Sequence, residues 1–173
     1  MHEQRRAADG LSVLAEASAV LASSVDIEAS MRVVAQLAVP RLGDWCSIDL
    51  LDPDGTLHRI ATVHSDPAQL AIANEFNRRF PAATTDPGGV YQVLRTGVVQ
   101  ASAITDDMII AGVEHPERRD MLLALGLRSY VIAPMAIDGT VVGTLTIVSA
   151  ESGHFLGDAD SARVQEPAQR AAL

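Results

Sequence analysis

The chain has 173 residues and a formal net charge of −9, and its 13 basic residues are all arginine. That length suits one domain with a self-sufficient core, while the acidic balance and dispersed arginines exclude generic nucleic-acid binding. The lone Cys46 excludes an intrachain disulfide and a multi-cysteine zinc site. Aromatics are only 3%, so the core must come from Val, Leu, Ile, Ala and Met, and no long apolar run predicts a membrane span.

MHEQRRAADG lacks a signal-peptide apolar core, so a cytoplasmic location is expected. Residues 11–22 place Leu11, Leu14, Ser18 and Leu21 at helical spacing. Asp26 stands where it would N-cap a second helix through about Ala38, with Val33, Val34, Leu37 and Ala38 available for burial and Pro40 beyond its end. Residues 44–52, DWCSIDLLD, read as a strand. Pro53-Asp54-Gly55 is turn chemistry, and residues 56–64, TLHRIATVH, read as the returning strand. A Leu51–Thr56 pairing puts Trp45, Ser47 and Asp49 on one face with His58, Ile60, Thr62 and His64. Cys46, Ile48 and Leu50 then share the other face with Leu57, Arg59, Ala61 and Val63. A slip of one residue would exchange the two.

Asp66-Pro67 opens a helix to about Phe80 that presents Leu70, Ile72, Ala73, Phe76 and Phe80. Residues 81–89 are loop. A short helix over residues 90–95 ends before Gly97, and residues 98–104 form a short strand. Thr105 or Asp106 caps a helical turn through Met108 and Ile109, and a helix over residues 116–125 stops at Gly126. Residues 127–150, LRSYVIAPMAIDGTVVGTLTIVSA, form a hairpin in which Asp138-Gly139 supplies the positive φ angles of a type I′ turn. Pro134 should not offer its nitrogen to a paired neighbour, and Gly143 marks a bulge or a close backbone approach. An Ile137–Thr140 pairing puts Val131, Ala133 and Met135 on the face of Thr144 and Thr146. Leu145 and Ile147 should meet the terminal helices and the two threonines a cavity. Asp158 caps a last helix that Pro167 should kink or end.

This order predicts an α+β fold with a central antiparallel sheet of five or six strands. Terminal helices cover one face and crossover helices the other. Residues 1–9 read as an N-terminal extension and residues 10–173 as one domain that includes both terminal helices.

The stretches LGDWCSIDLLDPDG, ATVHSDP, VLRTGVVQ and ALGLRSYVIAPMAIDGTVVGTLTIVSAESG resemble GAF domains, the sensory modules of bacterial signalling proteins. They look like a variety common in actinobacterial multidomain regulators, upstream of histidine-kinase or phosphatase outputs. The resemblance covers about residues 10–170 and departs at Pro167, where the family continues an Ala-rich helix. It implies a small-molecule cavity between sheet and crossover segments. It also implies terminal helices that form a homodimer bundle, and adjacent signalling domains of the two-component kind. The family binds cyclic nucleotides, haem, bilins, amino acids or nothing known, so the cofactor stays unknown. A PAS-like fold is the structural runner-up, but it would lack the long crossover between Asp66 and Gly126.

Each candidate residue has a functional and a plain structural reading. Asp49, His58 and His64 share a face but converge too poorly for a metal or a catalytic set. His64 either lines the cavity or accepts a local backbone hydrogen bond, and haem ligation would need it or His115 in a roomy apolar pocket. Cys46 is a redox or bilin-attachment site, or a small buried hydrophobe facing the terminal helices. Thr144 and Thr146 meet a ligand or water, or simply pack. Phe76, Tyr91, Met108 and Met121 wall a pocket or fill core. Ser47, Asp49, Thr62 and Ser129 complete the candidate pocket. Pro87-Gly88-Gly89 matches no phosphate fingerprint and reads as loop or lid. Arg128 suits either a phosphate or a structural ion pair.

The expected function is a non-enzymatic sensory domain that binds a small molecule or relays a signal through its terminal helices. The alternative is a ligand-free dimerisation module working through residues 9–40 and 158–173. A redox enzyme of the sulfoxide reductase type is disfavoured by the single cysteine.

Overall fold

A computed structural model describes residues 27–153 and 156–171. The expected extension over residues 1–9, the helix over residues 11–22, and the capping side chains of Asp26 and Asp158 lie outside the described residues. The elements run α1 (Ile27–Ala38), β1 (Trp45–Leu51), β2 (Leu57–His64), α2 (Pro67–Arg79), α3 (Gly89–Thr96) and β3 (Gln100–Ala103). They continue α4 (Asp106–Gly112), α5 (Pro116–Leu125), β4 (Ser129–Ile137), β5 (Thr140–Ser149) and α6 (Asp158–Ala171). The five strands form one antiparallel sheet in the order β2-β1-β5-β4-β3.

Local chemistry sets the element ends. The Asp66 carboxylate accepts the Ala68 N–H at 2.9 Å and Pro67 takes the first helical position of α2. Thr105 caps α4 by accepting from Met108 N at 3.2 Å. The β4–β5 turn has φ of 51° at Asp138 and 79° at Gly139, the type I′ geometry expected of that pair.

One face of the sheet carries the main core. Cys46, Ile48, Val131, Ala133, Met135, Leu145 and Ile147 pack with Met31, Val34, Ala35 and Ala38 of α1 and with Val164 and Ala168 of α6. Leu145 and Ile147 therefore meet the terminal helices as expected. On the other face, Trp45 packs with Ala73 of α2, Leu125 of α5 and Ala150. None of the described helices is long and apolar enough to cross a membrane.

Two β-bulges correct the expected faces. In the first hairpin Leu51 pairs with Leu57 rather than Thr56, and Ile60 is then the extra residue in β2, between the Asp49–Arg59 and Ile48–Ala61 pairs. Arg59 therefore joins Asp49, while Ile60 turns into the main core and lends its carbonyl to Arg32 Nε at 3.3 Å. His58 pairs with Leu50 and is exposed, so it leaves the face of Asp49 and His64. The slip and the bulge together restore the expected face for Thr62 and His64. In the second hairpin Ile137 pairs with Thr140 as expected, but Val142 is an extra residue in β5. Val131, Ala133 and Met135 consequently face the terminal helices and not the side of Thr144 and Thr146. Gly143, next to this bulge, pairs with Met135 and lies under the Asp49 carbonyl of β1.

Pro167 does not end the last helix, which runs to Ala171. Pro167 is buried, and the helical bond it removes is that to the carbonyl of Arg163.

Candidate functional site

The register places three rows of side chains on the crossover face. The first runs Arg59, Asp49, Thr144, Pro134. The second runs Thr62, Ser47, Thr146, Ile132, Gln100, and the third His64, Trp45, Val148, Tyr130, Ser102. Each outer row has two buried residues near the middle of the strip. Asp49 and Thr144 are 4% and 0% exposed, and Trp45 and His64 are 4% and 7% exposed. α2 lies over the third row through Ala73. α3 sends Tyr91 toward β2, where its hydroxyl accepts Leu57 N at 2.9 Å. Between these covers Thr62, Ser47 and Thr146 are only half-buried, although two of their strands are interior to the sheet.

This strip holds polar atoms that the protein leaves unsatisfied. The hydroxyls of Thr62, Thr144 and Thr146, Oε1 of Gln100 and Nε1 of Trp45 are buried and have no hydrogen-bond partner among the described residues. Buried polar groups are ordinarily paired, so such a cluster marks a place for a ligand or ordered water.

Beside the strip, Asp49 and Arg59 are matched to each other. Arg59 donates from Nε and Nη2 to the two carboxylate oxygens of Asp49 at 2.9 and 3.0 Å. His64 accepts Asp66 N–H on Nδ1 at 2.9 Å, so Nε2 is the protonated nitrogen of the neutral ring. That Nε2 lies against Glu151 Oε1 without hydrogen-bond geometry. The His64 ring also meets Trp45 at a centroid distance of 4.2 Å. His64 thus accepts a local backbone hydrogen bond, the plainer of its two readings, in the row beside the strip. Glu151 belongs to the β5–α6 connection, which Asp44 clamps by accepting Ala150 N at 2.6 Å and Ser152 Oγ at 2.7 Å.

Ser47, Asp49, Thr62, His64, Thr144 and Thr146 are thus brought together. Ser129 is not among them: it shares the terminal-helix face with Val131, and its hydroxyl accepts Leu156 N at 3.0 Å. Met108 is 52% exposed on α4, where Ile109 takes the inward position instead. Phe76 contacts Phe80, which in turn meets His115, with centroids 5.6 and 5.0 Å apart. Met121 is half-buried on α5, and Tyr91 is buried under α3.

His115 is exposed and caps α5 by accepting Arg118 N, so it enters no apolar pocket. Arg128 is exposed and serves through its backbone, which bonds Ser149 and Ile104. Burial pushes the Cys46 thiol up to about 12, as expected of a small apolar core residue. No group of three or more His, Cys, Asp or Glu side chains able to hold a metal exists among the described residues.

Sequence reasoning passed over Arg59, Gln100 and Glu151. The one-residue slip that pairs Leu51 with Leu57 turns Arg59 to Asp49. Gln100 had a usable signal, a polar residue two positions before Ser102 in the strand's alternation.

The GAF domain family model matches residues 26–173. No curated protein matches the chain significantly. Among solved structures, the GAF domain of a phosphoenolpyruvate-protein phosphotransferase from Coxiella burnetii is 19% identical, with a TM-score of 0.67 over 96% of this chain and 92% of that one. The phycocyanobilin-bound GAF domain of a cyanobacterial phytochrome is 20% identical, with a TM-score of 0.63 over 94% and 91%. A domain of a sensor histidine kinase protein from Sinorhizobium meliloti is 15% identical, with a TM-score of 0.57 over 86% and 90%. These likenesses show the fold, and with the match over residues 26–173 they establish that the chain belongs to the GAF domain family.

Proposed function

We propose that this GAF domain is a sensory and regulatory module that binds a small molecule on the strip between α2 and α3. It relays occupancy through α1 and α6 to a kinase or phosphatase output, in a multidomain signalling protein of the actinobacterial type acting in the cytoplasm. One observation carries the ligand reading: unsatisfied hydroxyls on the half-buried Thr62 and Thr146, flanked by the buried Asp49 and Thr144 on one side and Trp45 and His64 on the other. The relay reading draws support from the sheet itself, since Ser47 and Thr146 on the strip alternate with Cys46, Ile48, Leu145 and Ile147 under the terminal helices. Domain bounds of residues 10–173, with both terminal helices included, suit this role. No catalytic role is assigned to any residue.

Mass spectrometry of the purified protein under native and denaturing conditions tests the ligand. The expected result is extra mass that is lost on denaturation, or recovery of binding after a metabolite extract is added back. A chain of bare mass whose melting no small molecule shifts would overturn it. The dimerisation module is the second reading, favoured by α1 and α6 lying together on the far face of the sheet. Light scattering distinguishes it: a monomer at tens of micromolar removes it.

A further inference from the structure

We infer that the ligand of the strip is an uncharged, nucleoside-sized molecule bearing several hydroxyl or amide groups, an inference that rests on the ligand-binding reading above. The charge balance of the site comes first. Every residue of the middle row (Thr62, Ser47, Thr146, Ile132 and Gln100) is neutral. Asp49 and Arg59 in the row beside it cancel through two hydrogen bonds. In the row on the other side, His64 has its Nδ1 occupied by Asp66 N–H and its Nε2 facing Glu151. An anion placed on the strip would lose its hydration without gaining an unpaired positive partner, and would stand near the Glu151 carboxylate, which is a steep cost in a covered site.

The hydrogen-bonding demand points the same way. Gln100 Nε2 donates to the Tyr130 hydroxyl at 3.2 Å, so its unsatisfied Oε1 can only accept. Trp45 Nε1, also unsatisfied, can only donate, while the hydroxyls of Thr62, Thr144 and Thr146 do either. Satisfying this set takes a molecule that both donates and accepts. Ionised carboxylates contribute acceptors alone, whereas hydroxyls and amides contribute both. Size follows from the sheet. Thr62 and Thr146 stand two strand spacings apart, about 10 Å, and Gln100 lies two spacings beyond Thr146. A nucleoside or a small sugar spans the first interval.

The test measures melting shifts and calorimetric affinity of the whole chain for matched pairs of probes. Adenosine, guanosine, glucose and myo-inositol are each set against their monophosphates, with wild type, Thr62→Val and Thr146→Val compared. The expected result is that at least one uncharged probe binds, that its phosphate binds at least tenfold more weakly, and that each valine variant weakens the uncharged probe by about tenfold, as the loss of one buried hydrogen bond implies. Phosphates that bind more tightly than their parents, with the valine variants still weakening them, overturn the uncharged class but leave the strip as the binding site. Binding that neither variant alters, or no binding by any probe, overturns the strip as a ligand site and this inference with it.

Discussion

Two residues test the geometry of the sheet at its smallest scale. Gly143 has no room for a side chain: a β-carbon there would collide with the Asp49 carbonyl and stand 2.7 Å from Cε of Met135. The methionine can move, but the neighbouring strand's backbone cannot. Gly143→Ala should therefore cost about 3 kcal/mol in urea unfolding, at the upper end of overpacking effects. A loss well under 1 kcal/mol would show that β1 and β5 do not approach this closely. Cys46 gives a pH dependence with a defined sign. The folded chain holds the thiol proton up to about 12, whereas the unfolded chain releases it near the ordinary value of 9.0. Between those limits the unfolded state binds fewer protons, so stability falls as pH rises through that window, by up to about 1.4 kcal/mol per unit. The chain has no lysine, so its two tyrosines are the main other side chains whose ordinary range falls in this window, and comparison with a Cys46 variant isolates the thiol. Cys46→Ala should flatten this slope, and the folded protein should resist alkylation at mildly alkaline pH, where the denatured chain reacts.

At the scale of elements, helices declare their ends and strands conceal their faces. Asp66-Pro67, Thr105, Gly97 and Gly126 act through residues adjacent in sequence, and each sets the end it was expected to set. Asp66→Ala removes the hydrogen bond to Ala68 N and should cost about 1 kcal/mol while leaving the Asp66 N–H to His64 intact; an unchanged unfolding midpoint would show that Pro67 alone suffices to start α2. Strand faces obey longer-range constraints. The Asp138-Gly139 turn was legible because type I′ geometry needs that chemistry, yet the extra residue at Val142 answers to the approach of β5 to β1. Gly143 marks such an irregularity in the sequence but not the change of face it brings, so Val131, Ala133 and Met135 fell on the wrong side. The same reasoning separates Ser129 from the site, because its parity follows Val131. Met108 was misplaced for another reason: α4 is so short that one turn decides whether Met108 or Ile109 points inward.

For the molecule as a whole, the sheet divides two kinds of burial, and adjacent residues of one strand should report them with different signs. Leu145 is fully buried under the terminal helices, in a cluster that spans α1, four strands and α6. Truncating it leaves a cavity that elements from both ends of the described chain must line, so Leu145→Ala should cost about 2–5 kcal/mol. Thr146, one residue on, keeps a buried hydroxyl with no partner on the opposite face. Replacing it with valine removes an unsatisfied polar atom at nearly constant volume. Thr146→Val should therefore leave the ligand-free stability within about 0.5 kcal/mol of wild type or raise it. A structural hydroxyl would behave otherwise, costing about 1–3 kcal/mol when its bonding partner is stranded. If unfolding in urea shows both variants equally destabilised, the crossover face is ordinary core and its threonines are packing residues. If Leu145→Ala alone is costly, the protein tolerates polar groups on that face that do nothing for its own stability, as expected of atoms kept for a ligand.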